Sequence, residues 1–290
     1  MGQCAPCQKA ISMMILDCAG RALDLTAPRV MGVLNVTPDS FSDGGHFLDL
    51  SDAVERAARM VEEGAAIIDV GGESTRPGAA EVSVDQELDR VIPVVEVLSR
   101  ELSVPVSVDT SKPEVMREAV RAGAGMINDV WALRRPGALE AAVAAGVPVC
   151  LMHMQGEPRS MQADPRYTDV VAEVEGFLAE RISVCVGAGM PPSRLLADPG
   201  FGFGKTLEQN LMLLRHLPQF GTLGVPLLVG MSRKSMIGAV LEGAPVSQRL
   251  HGSVAAATLA GWLGAALVRV HDVRPTVDAL RLCAAVRGAD

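Results

Sequence analysis

Residues 104–130, VPVSVDTSKPEVMREAVRAGAGMINDV, contain one complete strand–helix–strand unit. A short apolar run at 104–108 predicts a buried strand, and a helical pattern follows it that begins near Pro113. Proline is favoured in the first turn of a helix, and we expect Ser111 to act as the N-cap. A second apolar run at 125–127 predicts the next strand. Because strands separated by one crossover helix lie parallel, the unit predicts α/β architecture.

The same alternation continues towards both ends of the chain. The predicted strands are at residues 30–34, 66–70, 104–108, 125–127, 147–152, 195–197, 226–230 and 266–270. The predicted helices are at 52–63, 84–102, 113–122, 136–145, 168–187, 206–217, 247–263 and 275–286. Eight strand–helix units in one chain predict a single (β/α)8 TIM barrel. A doubly wound sheet is the alternative, but its G-x-G-x-x-G signature does not follow the first predicted strand.

No linker or shift of composition divides the chain, so we expect one barrel domain at 14–290. Residues 1–13 are expected to be a loosely ordered N-terminal extension. This extension contains Cys4 and Cys7 in a C-x-x-C arrangement. A zinc site needs a second pair of ligands, and a thioredoxin-like redox site needs a preceding strand and a following helix. A plain extension is therefore the favoured interpretation.

Composition excludes several classes of protein. The chain of 290 residues has a formal net charge of −8, which argues against general nucleic-acid binding. Hydrophobic residues make up 49%, yet they form no uninterrupted run of the length that spans a bilayer, so no membrane interaction is expected. The 6 cysteines are scattered and do not form a disulfide framework. A reducing cytoplasm is the expected setting.

Polar side chains occur where each predicted strand ends. They are Asn35, Asp69, Asp109, Asn128, Asp129, His153, Asp198, Ser232, Arg233, Lys234, Arg269 and His271. Singly, each has an ordinary structural explanation; Asp109, for example, could cap the helix that follows it. Together they predict an active site, because the carboxyl ends of barrel strands meet at one face.

These residue types indicate what the site binds. Asp109, Asn128 and Asp198 offer carboxylates and an amide, which suit a flat heterocycle with several N–H donors. Lys234 could meet a carbonyl or ring nitrogen of the same molecule. No Ser–His–Asp or Cys–His arrangement for nucleophilic catalysis is evident.

A second group of residues suits an anion. Arg269 and His271 are two residues apart on a predicted strand and therefore point to the same side. With Asn35 nearby, they would suit a phosphate group. An amide oxygen together with phosphate oxygens also suits Mg²⁺, which takes hard oxygen ligands and needs few of them from protein.

Three loops follow predicted strands and are candidates for substrate contacts. Residues 35–46 and 71–80 are rich in Gly, Pro, Ser, Thr and Asp, and we expect them to act as lids. Residues 200–205 alternate glycine with Phe201 and Phe203. The two rings predict an exposed aromatic platform for stacking. The alternative, which applies to at least one of them, is that the ring packs under its own loop.

The chain resembles the dihydropteroate synthase family. The resemblance rests on MGVLNVTPDSFSDGG, IIDVGGESTRPGA, VSVDTSKPEV, INDV, MHMQGEP, DPGFGFGKT, GMSRKSMIG and RVHDV, which occur in this order from about residue 31 to residue 273. It implies a (β/α)8 fold and a transferase of folate biosynthesis. The implied reaction condenses 6-hydroxymethyl-7,8-dihydropterin pyrophosphate with p-aminobenzoate, through Mg²⁺-assisted loss of pyrophosphate and attack of the arylamine, giving 7,8-dihydropteroate.

The resemblance also implies roles for individual residues. The catalytic group is Asn35, Asp39, Asp109, Lys234, Arg269 and His271, with Asp39 organising the closed site. Pterin is bound by Asp109, Asn128, Asp198 and Lys234. Pyrophosphate is bound by Asn35, Arg76, Arg269 and His271, and Mg²⁺ by Asn35. The p-aminobenzoate side is formed by Thr75, Arg76, Pro77, Phe203, Ser232 and Lys234.

Two expectations and two alternatives accompany this resemblance. The family usually forms homodimers, and an Ala-rich helix at 253–263 is compatible with that. The p-aminobenzoate loop carries no obvious insertion, so sensitivity to sulfonamides is expected. One alternative is a corrinoid-type pterin-binding methyltransferase domain, which needs neither the Arg269–His271 pair nor the STRPG loop. The other is a non-catalytic paralogue, which would be expected to lose residues such as Asn35 or Arg76.

Overall fold

The computed structural model describes residues 14–37, 50–74, 82–157, 161–162 and 164–289. An antiparallel hairpin of β1 (Ile15–Cys18) and β2 (Arg21–Asp24) comes first. The parallel strands are β3 (Arg29–Asn35), β4 (Ile67–Gly71), β5 (Val106–Asp109), β6 (Met126–Asp129), β7 (Val149–Met152), β8 (Leu195–Asp198), β9 (Leu228–Val229) and β10 (Leu267–Val270). The helices are α1 (Leu50–Glu62), α2 (Val84–Glu101), α3 (Pro113–Arg121), α4 (Ala138–Ala145), α5 (Val170–Gly187), α6 (Leu207–Arg215), α7 (Ser235–Val240), α8 (Leu250–Trp262) and α9 (Val273–Arg287).

The parallel strands form the predicted (β/α)8 barrel. Their spatial order is β8-β7-β6-β5-β4-β3-β10-β9, so the first strand of the barrel pairs with the last. A parallel bridge between Ala197 and Leu227 joins β8 to the start of the β9 segment and closes the ring. The TIM-barrel prediction is therefore confirmed, although β9 is shorter than the predicted run at 226–230. Within the described ranges, no helix has both the length and the apolar character needed to cross a membrane.

The start of α3 differs from the prediction in one detail. Pro113 is its first residue, as expected, and Arg121 lies in the last turn, where a cation favours the helix dipole. Lys112 occupies the N-cap position without a capping side-chain hydrogen bond. The Ser111 hydroxyl instead donates to Asp129 Oδ1 at 2.5 Å. The cap expected from Ser111 is wrong because the end of the neighbouring strand offers that hydroxyl a buried carboxylate.

The hairpin β1–β2 covers the end of the barrel at which the strands begin. Its Leu16, Cys18 and Leu23 pack with the inward-facing first residues of the strands, such as Ile67 and Leu196. Arg21 fixes the hairpin from outside, because its guanidinium donates to Val104 O at 2.6 Å and to Ser99 O. The apolar periodicity of the sequence does not predict this hairpin, and residues 1–13 lie outside the described residues.

Strand pleating produces two layers inside the barrel. Side chains two residues apart on a strand share a face, so an apolar residue low in the barrel is followed by a polar one at the opposite end. The pairs are Ile67 and Asp69, Met126 and Asn128, Leu196 and Asp198, and Leu267 and Arg269. The intervening residues, including Ile68, Ile127 and Val268, pack outwards against the helices. The polar layer at the carboxyl ends therefore follows from the strand pattern itself.

Candidate active site

Arg269 is the centre of the polar layer. Its Nε donates to Asp69 Oδ2 at 2.6 Å, and its Nη2 donates to Asp109 Oδ2 at 2.8 Å. The Asn128 amide donates to the same Asp69 oxygen at 3.1 Å. Four strands, β4, β5, β6 and β10, thus present one connected set of polar and charged side chains. Asp109 bonds Arg269 and does not cap α3, which removes the ordinary structural explanation for this residue.

Asp69 is missing from the predicted pterin-binding residues, although it is fully buried within the polar layer. Its Oδ1 atom has no hydrogen-bond partner among the described residues. An unpaired buried acceptor is costly, so this atom is a candidate acceptor for a ligand N–H group. The sequence signal was its position two residues after the inward-facing Ile67.

Burial shifts the pKa values of the ionisable groups in this layer. Desolvation raises the pKa of Asp109 above its usual range, with Arg269 opposing the shift. Desolvation likewise raises the pKa of Asp198, and Lys234 opposes it. The pKa of Lys234 is lowered to about 8, chiefly by burial. Costly, closely spaced charges of both signs are typical of a site that is completed by a ligand.

Asn35 ends β3 beside the same group of residues. A Cβ atom built on Gly71 would lie 3.6 Å from Asn35 Oδ1 and 3.7 Å from Asp109 Oδ2. The amide of Asn35 and the carboxylate of Asp109 therefore flank the bare backbone of Gly71. The structure brings the predicted anion-binding amide next to the predicted heterocycle-binding acid.

Lys234 lies over the loop that follows β8. Its Nζ donates to Phe201 O at 2.5 Å and lies 4.4 Å from the centroid of the Phe203 ring. Phe201 is fully buried and Phe203 is only 8% exposed, so the expected exposed platform is wrong, while the alternative of a ring packed under its own loop is confirmed for Phe201. Phe201 packs in the core beneath its own loop, while Phe203 presents its face to the ammonium group.

Lys205 holds that loop from below, a role that its sequence position does not reveal. Its buried ammonium donates to Gly200 O at 2.8 Å and to Phe203 O at 3.0 Å, and it lies 3.0 Å from His153 Nδ1. Gly200 has a φ of 71°, and a Cβ there would overlap the His153 carbonyl oxygen. The position of the Phe203 ring therefore depends on an ammonium group and on glycine.

His271 and Ser232 form a second wall of the site, after β10 and the neighbouring β9, which in turn adjoins β8. The Ser232 hydroxyl accepts the His271 backbone N–H at 3.2 Å and lies 3.1 Å from His271 Nδ1. Burial, followed by the charge of Arg269, lowers the pKa of His271 to about 3, so its imidazole is neutral near pH 7. The adjacent Asp272 carboxylate bonds Arg233, not His271, and this wall is therefore no Ser–His–Asp triad.

The structure brings together most of the predicted site residues it describes. Asn35, Asp109, Asn128, Asp198, Phe203, Ser232, Lys234, Arg269 and His271 all lie at the carboxyl ends of the strands or in the loops that follow. Asp39, Thr75, Arg76 and Pro77 lie outside the described residues, as does most of the two predicted lids. Their predicted roles stay predictions.

An α/β barrel with closely spaced charges at the carboxyl ends of its strands has the architecture of an enzyme active site. The model of the family of pterin binding enzymes matches residues 31–271. Dihydropteroate synthase of Escherichia coli K12 is 58% identical over 276 residues, covering 95% of this chain and 98% of that protein. The Haemophilus influenzae dihydropteroate synthase is 51% identical over 95% of this chain and 100% of its own length.

Solved structures agree. Xanthomonas albilineans dihydropteroate synthase with 4-aminobenzoic acid matches with a TM-score of 0.91 and 56% identity, covering 96% of this chain and 100% of that one. The Yersinia pestis enzyme in a sulfonamide drug complex gives a TM-score of 0.92 and 54% identity, over 95% and 100% of the two chains. The chain belongs to the pterin binding enzymes and, within them, to the dihydropteroate synthase family.

Proposed function

We propose that the protein condenses 6-hydroxymethyl-7,8-dihydropterin pyrophosphate with p-aminobenzoate to give 7,8-dihydropteroate and pyrophosphate. The observation that carries the proposal is the linked cluster of Asp69, Asp109, Asn128 and Arg269 at the barrel mouth. A Xanthomonas albilineans relative that is 54% identical has been solved in complex with 7,8-dihydropteroate, which supports the same product here.

Pterin recognition follows from the hydrogen-bonding groups of the polar layer. The amino group and ring N–H groups of a pterin are donors, and the carboxylates of Asp109 and Asp198 are acceptors. The free Oδ1 of Asp69 adds a further acceptor. Lys234 is a donor suited to the pterin carbonyl or a ring nitrogen. Charge-assisted hydrogen bonds of this kind are short and directional, so they would hold the ring plane fixed.

Reaction at the methylene group needs charge stabilisation more than a nucleophile. The bond between the methylene carbon and the pyrophosphate oxygen breaks, the pterin stabilises the resulting cation, and the arylamine nitrogen forms the new bond and loses a proton. Arg269, His271 and Asn35 would hold the departing anion. Preorganised groups of this type lower the barrier because they need no rearrangement as charge develops.

Magnesium fits this site only when it binds together with the substrate, whose phosphate oxygens would supply ligands. Among the described residues, no group of three or more His, Cys, Asp and Glu side chains could hold a metal ion. Asn35 Oδ1, beside Gly71, is a hard oxygen ligand of the kind Mg²⁺ accepts when phosphate oxygens and water supply the rest. When bound there, Mg²⁺ would neutralise negative charge on the leaving pyrophosphate.

The second substrate would lie beside Phe203 and the Ser232–Lys234 turn, next to the Lys234 ammonium that contacts the Phe203 ring. An aromatic face and a hydroxyl suit an aminobenzoate ring with its carboxylate, and Thr75, Arg76 and Pro77 are predicted to complete this side. Two relatives, one solved with 4-aminobenzoic acid and one with a sulfonamide drug, support binding of these two kinds of molecule by this protein. We therefore propose that sulfonamides compete with p-aminobenzoate. Noncompetitive inhibition in initial-rate assays, or normal growth of an enzyme-dependent strain under the drug, would argue against a shared pocket.

The first test is pyrophosphate release from the pterin pyrophosphate with Mg²⁺, measured with and without p-aminobenzoate. Release that depends on p-aminobenzoate, with dihydropteroate formed in equal amount, establishes the synthase. Asp198→Asn should abolish most of the activity, whereas Asp278→Asn, in an exposed ion pair on α9, should not. This pair of variants excludes a contaminating host enzyme. Pterin binding without release would instead favour a non-catalytic paralogue.

A homodimer and a cytoplasmic setting stay predictions with structural support. Leu259 and Trp262 on α8, and Leu282 and Val286 on α9, are large apolar side chains that are more than half exposed. An apolar face of this kind suits a second copy of the chain. Light scattering of the purified protein decides the point, since a monomer at micromolar concentration would refute it. The described cysteines, including Cys18 and Cys283, are free and buried, as expected in a reducing compartment.

A further inference from the structure

The turn of Ser232, Arg233 and Lys234 has an unusual backbone at its centre. Arg233 has a φ of 59°, a left-handed conformation that is disfavoured for residues other than glycine, asparagine and aspartate. The residues on either side both face the proposed site, Ser232 towards His271 and Lys234 over Phe203. A change of the Arg233 φ angle to a negative value would therefore change the directions of the Ser232 and Lys234 side chains.

Ser253 on α8 and Arg249, the N-cap residue of that helix, hold both peptide groups of Arg233. The Arg233 N–H donates to Ser253 Oγ at 2.9 Å, and the Ser253 hydroxyl in turn donates to Arg249 O at 2.6 Å. Arg249 Nη1 donates to Arg233 O at 3.0 Å, while its Nε is held by Ala244 O at 2.8 Å. These partners leave the N–H and C=O of Arg233 little freedom to rotate.

The side chain of Arg233 provides a third restraint. Its Nε and Nη2 donate to the two oxygens of Asp272 at 2.9 and 2.5 Å. Asp272 directly follows His271 and is itself anchored, because Thr276 Oγ1 donates to its carbonyl at 2.7 Å. The ion pair therefore ties the loop after β9 to the loop after β10, parallel to the contact between Ser232 and His271.

Asp272 also balances a concentration of positive charge. Burial and the nearby charge of Arg233 lower the pKa of Arg56 on α1, and Asp272 opposes that shift. Burial, then Arg269 and Arg233, lowers the pKa of His271, and Asp272 again opposes the shift. Without this carboxylate, the cations would repel one another across the same two loops.

We propose that Asp272, Ser253 and Arg249 are positioning residues that keep Arg233 left-handed, so that Lys234 and the Ser232–His271 wall stay in their reactive places. This inference rests on the proposed synthase activity. The residues that would act on substrate are Lys234 and His271; the three positioning residues act through the backbone of Arg233.

The decisive experiment uses Asp272→Asn, Arg233→Gly and the double variant, with kcat and KM measured separately for both substrates. Asp272→Asn should lower kcat/KM by about tenfold or more. Arg233→Gly should stay within about threefold of the wild type, because glycine adopts a positive φ unaided. The double variant should resemble Arg233→Gly, so that removal of the side chain rescues the loss of its partner.

Controls separate positioning from general damage. Asp278→Asn removes a carboxylate from the exposed face of α9, and should change neither kinetics nor thermal unfolding. Ser253→Ala should lower kcat/KM by several fold. Thr258→Ala removes a hydroxyl of α8 that bonds only the carbonyl of Val254 on its own helix among the described residues, and should have no effect. Ser253→Ala also serves if Asp272→Asn does not fold.

Several results would overturn the proposal. If Arg233→Gly is as impaired as Asp272→Asn and the double variant is no better, the guanidinium itself binds substrate. If Asp272→Asn and Ser253→Ala both match the wild type, the restraints are not needed. If the wild type makes no dihydropteroate, the proposed function fails; a crystal structure of Asp272→Asn then decides the positioning claim, which requires residue 233 to leave the left-handed region and Lys234 to leave Phe201 O.

Discussion

The two ends of the barrel are built from the same strands and contain opposite chemistry. At the lower end, Met31, Ile67 and Leu196 pack under the β1–β2 hairpin in a purely apolar cluster. At the upper end, two residues further along their strands, Asp69 and Asp198 lie among cations and an amide. A rise of about 7 Å along each strand separates the two layers.

This contrast teaches where stability and function are located. Apolar burial at the lower end contributes roughly 25 cal/mol per Å² to folding. The upper end buries charges whose desolvation opposes folding and whose full set of partners arrives only with a ligand. Substitutions at the lower end should therefore change stability without changing the chemistry, and those at the upper end should do the reverse.

The largest expected effect is on folding, from Leu196→Ala at the lower end. Leu196 is fully buried, and loss of such a side chain costs about 2–5 kcal/mol of unfolding free energy. Urea unfolding should show this loss, while kcat per folded molecule is retained. Leu211→Ala is the matched control, because Leu211 on α6 is 42% exposed and should cost far less. A large drop in kcat for Leu196→Ala would break the proposed separation of the ends.

At the upper end, Asp109→Asn should have the opposite signature. Loss of one charged acceptor removes about 1.5–3 kcal/mol of binding, equal to about 10- to 150-fold in kcat/KM, while the unfolding free energy changes little. The control is Ser107→Ala on the same face of β5, since Ser107 Oγ has no hydrogen-bond partner among the described residues. That variant should keep both activity and stability. A loss of stability in Asp109→Asn as large as that of Leu196→Ala would contradict the comparison.

A smaller effect is expected where the hairpin meets the barrel. A Cβ on Gly125 would lie 2.5 Å from the Cys18 carbonyl oxygen, so Gly125→Ala must push the hairpin backbone aside. We expect a loss of about 1–3 kcal/mol in stability, with activity unchanged. Gly176→Ala, in open space within α5, should instead stabilise the protein by about 0.5–1 kcal/mol. Equal melting temperatures for the two variants would show that the hairpin does not press on Gly125.

The effect that is smallest at pH 7, and that grows as the pH falls, comes from two buried histidines. Burial, then Lys205, lowers the pKa of His153 to about 2, whereas an unfolded histidine titrates near its ordinary value of 6.5. Below pH 6.5 the unfolded chain therefore binds a proton that the folded chain does not, and stability falls by up to about 1.4 kcal/mol per pH unit for each such group. His271 contributes with the same sign, since its pKa is lowered to about 3.

Urea unfolding between pH 7 and 5 checks this prediction. His153→Gln should lower the slope of stability against pH by up to about 1.4 kcal/mol per pH unit, and His251→Gln, at an exposed position, is the matched control. Cys18 at the lower end should add nothing to the pH dependence of stability, because burial raises its pKa to about 12 and keeps the thiol neutral. An unchanged slope in His153→Gln would place the acid sensitivity elsewhere.

The sequence predicted the barrel well because each buried parallel strand is a short apolar run, as in Val106–Asp109. It did not predict the hairpin, since Ile15–Cys18 and Arg21–Asp24 mix exposed and buried residues and gain their role only once the barrel end exists. The short helix α7 was likewise missed, and α8 begins at Leu250, later than predicted.

The positions of polar residues at strand ends were enough to predict the site residues from the sequence. Their hydrogen-bond and ion-pair partners could not be predicted in this way. Arg269 and Asp69 are 200 positions apart, and only closure of the ring brings them within 2.6 Å. The roles of Lys205 and Arg233 depend on loop backbone that no residue pattern specifies. The burial of both Phe201 and Phe203 shows the same limit, because side-chain exposure in a loop is decided by what packs above it.

The closure of the ring has a consequence for local motion. Strand β9 comprises only Leu228–Val229, and within the described ranges its segment meets β8 through the single bridge of Ala197 and Leu227. The pairing of β8 with β9 is therefore the weakest in the ring, because the other neighbouring strands are joined by longer ladders. We expect the backbone amides of β8 and β9 to exchange with deuterium before those of β4 and β5. The barrel would then open locally between β8 and β9, next to Asp198 and Lys234.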